Sequence, residues 1–147
     1  MRWANRVRTL WRLAKTERAT PPEVAWAVGV GVFVGCTPAL GLHGWIAVGA
    51  ATLFRLNRLY AFLGSRVSSV FVLPWIVLCE VQLAHRMRTG SFLALTKSDV
   101  LAKARDFLLD WCIGTLPVGG AMAAFFAMAA YAWAKRRARR AADEPPP

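Results

Sequence analysis

His43 and Arg66 are ionisable side chains standing inside long apolar runs, and their types admit two kinds of chemistry. An imidazole can hold a ligand or relay a proton. A guanidinium beside hydroxyls offers planar, two-point hydrogen bonding to a phosphate or carboxylate, and Arg66 lies among Ser65, Ser68 and Ser69. Ionisable groups in such runs are functional candidates by default. Each also has a plainer reading. His43 can satisfy a carbonyl at a broken helix, and Arg66, about two turns past Arg58, can extend its long side chain to the surface. Shortly before His43 stand Thr37-Pro38 and Gly41. Pro38 removes a backbone donor and Gly41 loosens a helix. The polar groups this exposes must, in lipid, be buried in protein or line a wet cavity. Broken helices around a polar centre are how transporters build substrate sites. Thr37, Pro38, Gly41, His43, Arg66, Ser68 and Ser69 therefore make up the candidate ligand-binding site. Glu80, at the far end of the Arg66 run, reads as an interfacial residue more than a proton carrier.

The rest of the chain offers no competing chemistry. It contains no nucleophile elbow, phosphate-binding glycine loop, metal-spaced cluster or close pair of carboxylates, so neither an enzyme nor a cofactor or metal site is expected. Cys36, Cys79 and Cys112 are isolated, with no CxxC spacing, and read as small apolar packing residues.

Elements able to position these residues must live in a membrane. Of 147 residues 56% are hydrophobic and the mean hydropathy is +0.38, too apolar for an ordinary soluble domain of this size. The net charge of +11 could suggest nucleic-acid binding, but eleven of the nineteen Lys and Arg lie in Arg2 to Arg18 and Lys135 to Arg140. Both clusters abut hydrophobic runs, where positive charge meets anionic headgroups. Membrane lipid, and no nucleic acid, is the expected partner. Val24 to Gly35 behind a charged start imitates a targeting signal, and Phe33-Val34-Gly35-Cys36 a lipoprotein cleavage box. The charged stretch is too long and the apolar run continues past Cys36, so no cleavage is expected.

The expected fold is all-α: a polytopic membrane protein with Pro/Gly-broken helices and amphipathic interfacial helices. Residues 1–20 form a basic amphipathic interfacial helix, with Trp3, Val7, Leu10, Trp11 and Ala14 on one face. Thr20-Pro21-Pro22 breaks it. The membrane domain covers 21–140, with apolar segments at about 24–54, 59–79 and 111–134. The first holds 31 residues without formal charge apart from His43, long for one span and short for two. It reads as two short helices, about 24–36 and 40–54, forming a re-entrant hairpin or a kinked span. A second interfacial helix at about 98–110, leading into the 111–134 segment, turns Asp99, Lys103, Asp106 and Asp110 away from its apolar side. Residues 141–147 are a disordered tail. Basic ends stay cytoplasmic, so both termini belong inside and the number of complete crossings is even.

The stretch from Gly31 through Gly35-Cys36-Thr37-Pro38-Ala39-Leu40-Gly41-Leu42-His43, followed by Arg55-Leu56-Asn57-Arg58, resembles a bacterial membrane family, domain of unknown function 2062. Gly64-Ser65, Ser68-Ser69 and Pro74 match part of a second motif, although Ser69-Val70 replaces the usual Asn-Pro. The resemblance spans about residues 20–90. It implies a small multi-pass protein of the bacterial cytoplasmic (inner) membrane without an assigned activity. Some relatives are fused to glycosyltransferases, which points to envelope polysaccharide or lipid-linked sugars. Two functions are expected from these readings. One is binding or translocation of an anionic or lipid-phosphate substrate, with a homo-oligomer if transport is involved. The alternative is a non-catalytic membrane partner or scaffold for an envelope glycosyltransferase or polysaccharide system.

Overall fold

The computed structural model describes residues 20–39, 41–67, 72–93 and 104–143, and among these every regular element is helical. The expected interfacial helix at 1–20 lies almost wholly outside the described residues. The order is α1 (Pro21–Cys36), α2 (His43–Leu53), α3 (Arg58–Ser65), α4 (Leu73–Thr89), α5 (Ala104–Gly114), a π-helical turn (Thr115–Gly119) and α6 (Gly120–Asp143).

Local chemistry accounts for the ends. Pro21 and Pro22 sit in the first turn of α1, where a missing N–H costs nothing, and the Glu23 carboxylate accepts the Thr20 N–H at 2.9 Å. Asn57 starts α3, its side-chain oxygen accepting the N–H groups of Leu59 at 3.0 Å and Tyr60 at 3.3 Å. Pro74 stands in the first turn of α4, and Gly90 closes that helix in the left-handed conformation.

α1 and α2 form a hairpin. Ala27, Ala51 and Ala61 share one buried cluster, with Leu56 and Tyr60 packed against it. The start of α1 thus meets the end of α2, which a kinked but continuing span could not achieve. α1 also crosses α3 closely. A β-carbon on Gly31 would lie 2.1 Å from the Ala61 carbonyl oxygen, and one on Gly64 would lie 2.6 Å from that of Val28. On its other side α1 runs antiparallel to α6: Gly29 is against Ala127, and Cys36 is against Gly119. Extending that pairing brings Lys135 to the level of Pro21. Arg55, Arg58 and Lys135 to Arg140 consequently lie at one end of the molecule. The break after Cys36 and the π-turn lie at the other.

α5, the π-turn and α6 form one rod. Its stretch Ala104–Arg140, 37 residues, is long and apolar enough to cross a membrane; at ~1.5 Å per residue it measures about 55 Å. Pro117 explains the π-turn. Proline cannot donate to the ladder and its ring crowds the preceding turn, and the wider turn accommodates both faults inside a continuous helix. α1, α2 and α3 pack on the α6 half of this rod or on one another, and α4 packs on the α5 half.

Two segment boundaries differ from expectation. The apolar stretch 59–79 is not one helix: α3 ends at Ser65 and α4 starts at Leu73. The Gly64-Ser65 end and the new start at Pro74 divide what hydropathy alone reads as continuous. The helix expected at 98–110, described from Ala104, leads into the 111–134 segment as expected and forms one rod with it. α6 runs on to Asp143, into the segment read as a tail; residues 144–147 lie outside the described residues.

Candidate functional site

The break between α1 and α2 occupies residues 37–42, and side chains satisfy its loose carbonyls. Val34 O accepts the Thr37 N–H at 3.1 Å and the Thr37 hydroxyl at 2.7 Å. Thr37 O meets His43 Nε2 at 2.9 Å, so the imidazole donates through that nitrogen. Cys36 O accepts Trp111 Nε1–H at 3.2 Å and lies 3.5 Å from the Thr115 hydroxyl. Gly41 takes φ +82°, a conformation only glycine adopts without strain, and turns the chain into α2. Pro38 is half-buried within the break. Of the two chemistries open to His43, the plainer one is the geometry present.

Arg66 comes to the same end of the molecule. It follows the last residue of α3, and its guanidinium carbon lies 4.8 Å from the centre of the Phe62 ring. That ring packs on α2: a β-carbon on Gly44 would stand 2.8 Å from Phe62 Cε2 and 3.8 Å from Arg66 Nη2. Arg66 is exposed, and among the described residues no carboxylate pairs with it. The Ser65 hydroxyl donates to Phe62 O at 2.7 Å and does not face a ligand. Ser68 and Ser69 lie outside the described residues. Thr37, Pro38, Gly41, His43 and Arg66 are therefore neighbours at one end, with Arg66 the member that retains uncommitted donors.

Two carboxylates that sequence reasoning set aside lie deeper than any of these. Glu80, read from the sequence as facing the interface, is 0% exposed and enclosed by the protein. A β-carbon on Gly119 would lie 3.6 Å from Glu80 Oε1, 3.2 Å from Cys36 Cβ and 3.2 Å from Thr115 Cγ2. The acid thus sits where the broken end of α1 meets the π-turn. Trp111 and Thr115 are beside it, but their donors turn to the carbonyls of Cys36 and Trp111. Neither Glu80 oxygen has a hydrogen-bond partner. Asp110, expected on a solvated face, is 1% exposed. It accepts His85 Nδ1 at 2.9 Å and also Arg88 Nη1. The signal that could have found it is the α4 face itself, because Glu80, Ala84, His85 and Arg88 recur at helical spacing.

Among the described residues no group of three or more His, Cys, Asp and Glu side chains is arranged to hold a metal.

Residues 4–142 match the family described as uncharacterised protein conserved in bacteria, DUF2062. The chain belongs to that family. The match reaches beyond the 31–74 motifs to take in the residues of the rod. In these terms the Arg-Leu-Asn of residues 55–57 supplies the α3 cap, and the Thr-Pro and Gly-Leu-His supply the sealed break. No curated protein and no solved structure matches the chain.

Proposed function

We propose that this DUF2062 protein is a non-catalytic, multi-pass protein of the bacterial cytoplasmic membrane that binds the phosphate of an anionic lipid at Arg66. The observation that carries the reading is the guanidinium held over Phe62 beside Gly44, one residue past His43, with donors left for a ligand. A planar donor fork of this kind suits a phosphate. Support for several membrane-embedded helices comes from large apolar side chains turned outward on most of them. Trp45 and Leu53 on α2 are 80% and 78% exposed, Trp75 on α4 is 70% and Phe125 on α6 is 62%. Such a surface suits lipid and not water. The α1–α2 hairpin returns to the end where it began, which with the basic residues gathered there fits cytoplasmic termini. If the role is translocation, a homo-oligomer supplies the walls of the path.

The test is retention of an anionic phospholipid by purified protein. Arg66→Lys keeps the charge but loses the planar fork, so retention should weaken and persist. Arg66→Leu should abolish it while yield in the membrane is kept or improved. Equal retention by wild type and Arg66→Leu would mean that Arg66 only reaches for the interface. A second reading would then take over, that of a partner or scaffold for an envelope glycosyltransferase or polysaccharide system. The specific observation favouring it is the break itself, whose carbonyls at Val34, Cys36 and Thr37 are all occupied by side chains of this chain.

A further inference from the structure

Among the groups gathered at the break, Glu80 is one that anion binding cannot use. Its carboxyl is fully buried and both oxygens lack partners. It stands by the C-terminal end of α1, where the helix dipole is negative and where the Cys36 carbonyl is itself an acceptor. Ile76, Val81 and Ala84, all buried on the same helix, supply no compensating charge. An ionised carboxylate buried without a cation is far costlier than the neutral acid, and the nearby Trp111 and Thr115 donors are directed mainly to backbone carbonyls. The neutral acid has what this place lacks, an O–H that can be given to a carbonyl or to the Thr115 hydroxyl oxygen.

The titratable and charged groups facing this seam among the described residues are few. α4 itself carries His85 and Arg88, more than a turn along. α5 contributes Asp110, to which both are bonded, α1 contributes Cys36, and the break beside it holds His43, committed to Thr37 O. The π-turn contributes none. None sets an uncommitted positive charge beside Glu80.

We propose that Glu80 is a buried proton-binding site, carrying one exchangeable proton whose loss loosens the seam between α4 and the broken end of α1. In that step the carboxyl O–H bond breaks, its electron pair stays on Glu80, and the proton passes to water along the α4–α5 seam, on which His85 lies. Buried acids with a neighbouring histidine are the usual parts of proton relays in membranes. The inference stands on the burial of Glu80 and not on the Arg66 reading.

The test uses the full chain in lipid bilayers, made with isotopically labelled glutamate. Infrared spectra should show a protonated-glutamate C=O band at neutral pH that disappears reversibly as pH is raised. Amide hydrogen exchange over residues 34–39 and 112–119, corrected for its intrinsic pH dependence, should rise together with loss of the band. Glu80→Gln, an isostere of the neutral acid, should lack the band and show pH-independent exchange there, with anionic-lipid retention unchanged. Absence of any protonated-glutamate band in the wild type would overturn the proposal, as would exchange that rises equally in Glu80→Gln. If that variant does not insert, the labelled wild-type spectrum decides alone.

Discussion

Gly114 approaches Glu80 so closely that a β-carbon at position 114 would stand 2.1 Å from the Glu80 carbonyl oxygen. α4 and α5 therefore meet backbone to backbone at the point where the buried acid is held, and neither helix can shift without the other. Close packing of this kind transmits even one added methyl group.

Gly114→Ala should consequently push α4 from the rod, at a cost of about 1–3 kcal/mol or more for overpacking. Gly49 is the control, since a β-carbon there meets nothing within 4 Å. Gly49→Ala should be neutral or stabilise by up to ~1 kcal/mol through helix propensity. Thermal unfolding of both purified variants checks the pair, and equal effects would contradict the close crossing.

Asp110 should prove non-additive with its partners. His85→Ala or Arg88→Ala alone leaves the buried carboxylate one bond, and each should destabilise by about 1–3 kcal/mol. The double variant strands a carboxylate that is 1% exposed, so its loss should exceed the sum of the two single losses by about 0.5–3 kcal/mol. A double-mutant cycle on unfolding midpoints measures the coupling. Simple additivity would show that the two donors act separately.

Asn57→Ala should shorten or fray α3 by removing the acceptor for the Leu59 and Tyr60 N–H groups. The expected loss is about 1 kcal/mol, as for other caps. Because α3 carries Arg66 at its end, hydrogen exchange in residues 58–65 should rise and anionic-lipid retention should fall in parallel. Retention unchanged despite a frayed helix would separate Arg66 from its scaffold.

Topology can be read with single cysteines in a background lacking Cys36, Cys79 and Cys112. Asn5→Cys and Arg139→Cys should be shielded from an impermeant reagent in intact cells. Ser91→Cys, beyond the end of α4 and far from the basic end, should be labelled. Outside labelling at position 139 would contradict cytoplasmic termini.

Much of the helical outline is visible in local chemistry. Pro21-Pro22 opens α1, Thr37-Pro38 precedes its break, and a serine- and glycine-rich interruption with Pro74 ahead divides residues 59–79, although uniform hydropathy hides that division. The two buried acids were hidden for a different reason. Asp110 meets His85 across 25 positions and Trp111 meets Cys36 across 75, and no periodicity within one segment reports such distant partners. Glu80 misleads in particular, because a carboxylate at the edge of an apolar run ordinarily marks the water boundary. Its enclosure comes from partners distant in sequence, Gly114 and Gly119 on the rod and Cys36 on α1.

The π-turn at Thr115–Gly119 has a consequence for rotation. Each residue of an α-helix turns its neighbour by about 100°, as 3.6 residues complete one turn, so the wider turn accommodates one surplus residue and resets the phase of everything after it. α5 presents Asp110, Trp111 and Gly114 to α4, whereas α6 presents Ala123 and Ala127 to α1. Deleting one residue here, Val118 for instance, would wind the rod back into a plain helix. The two faces would then disagree by about 100°, and α6 would turn its alanines away from Gly29. The rod behaves as two screws of different phase joined by a splice, and the splice decides which side of the molecule each half can grip.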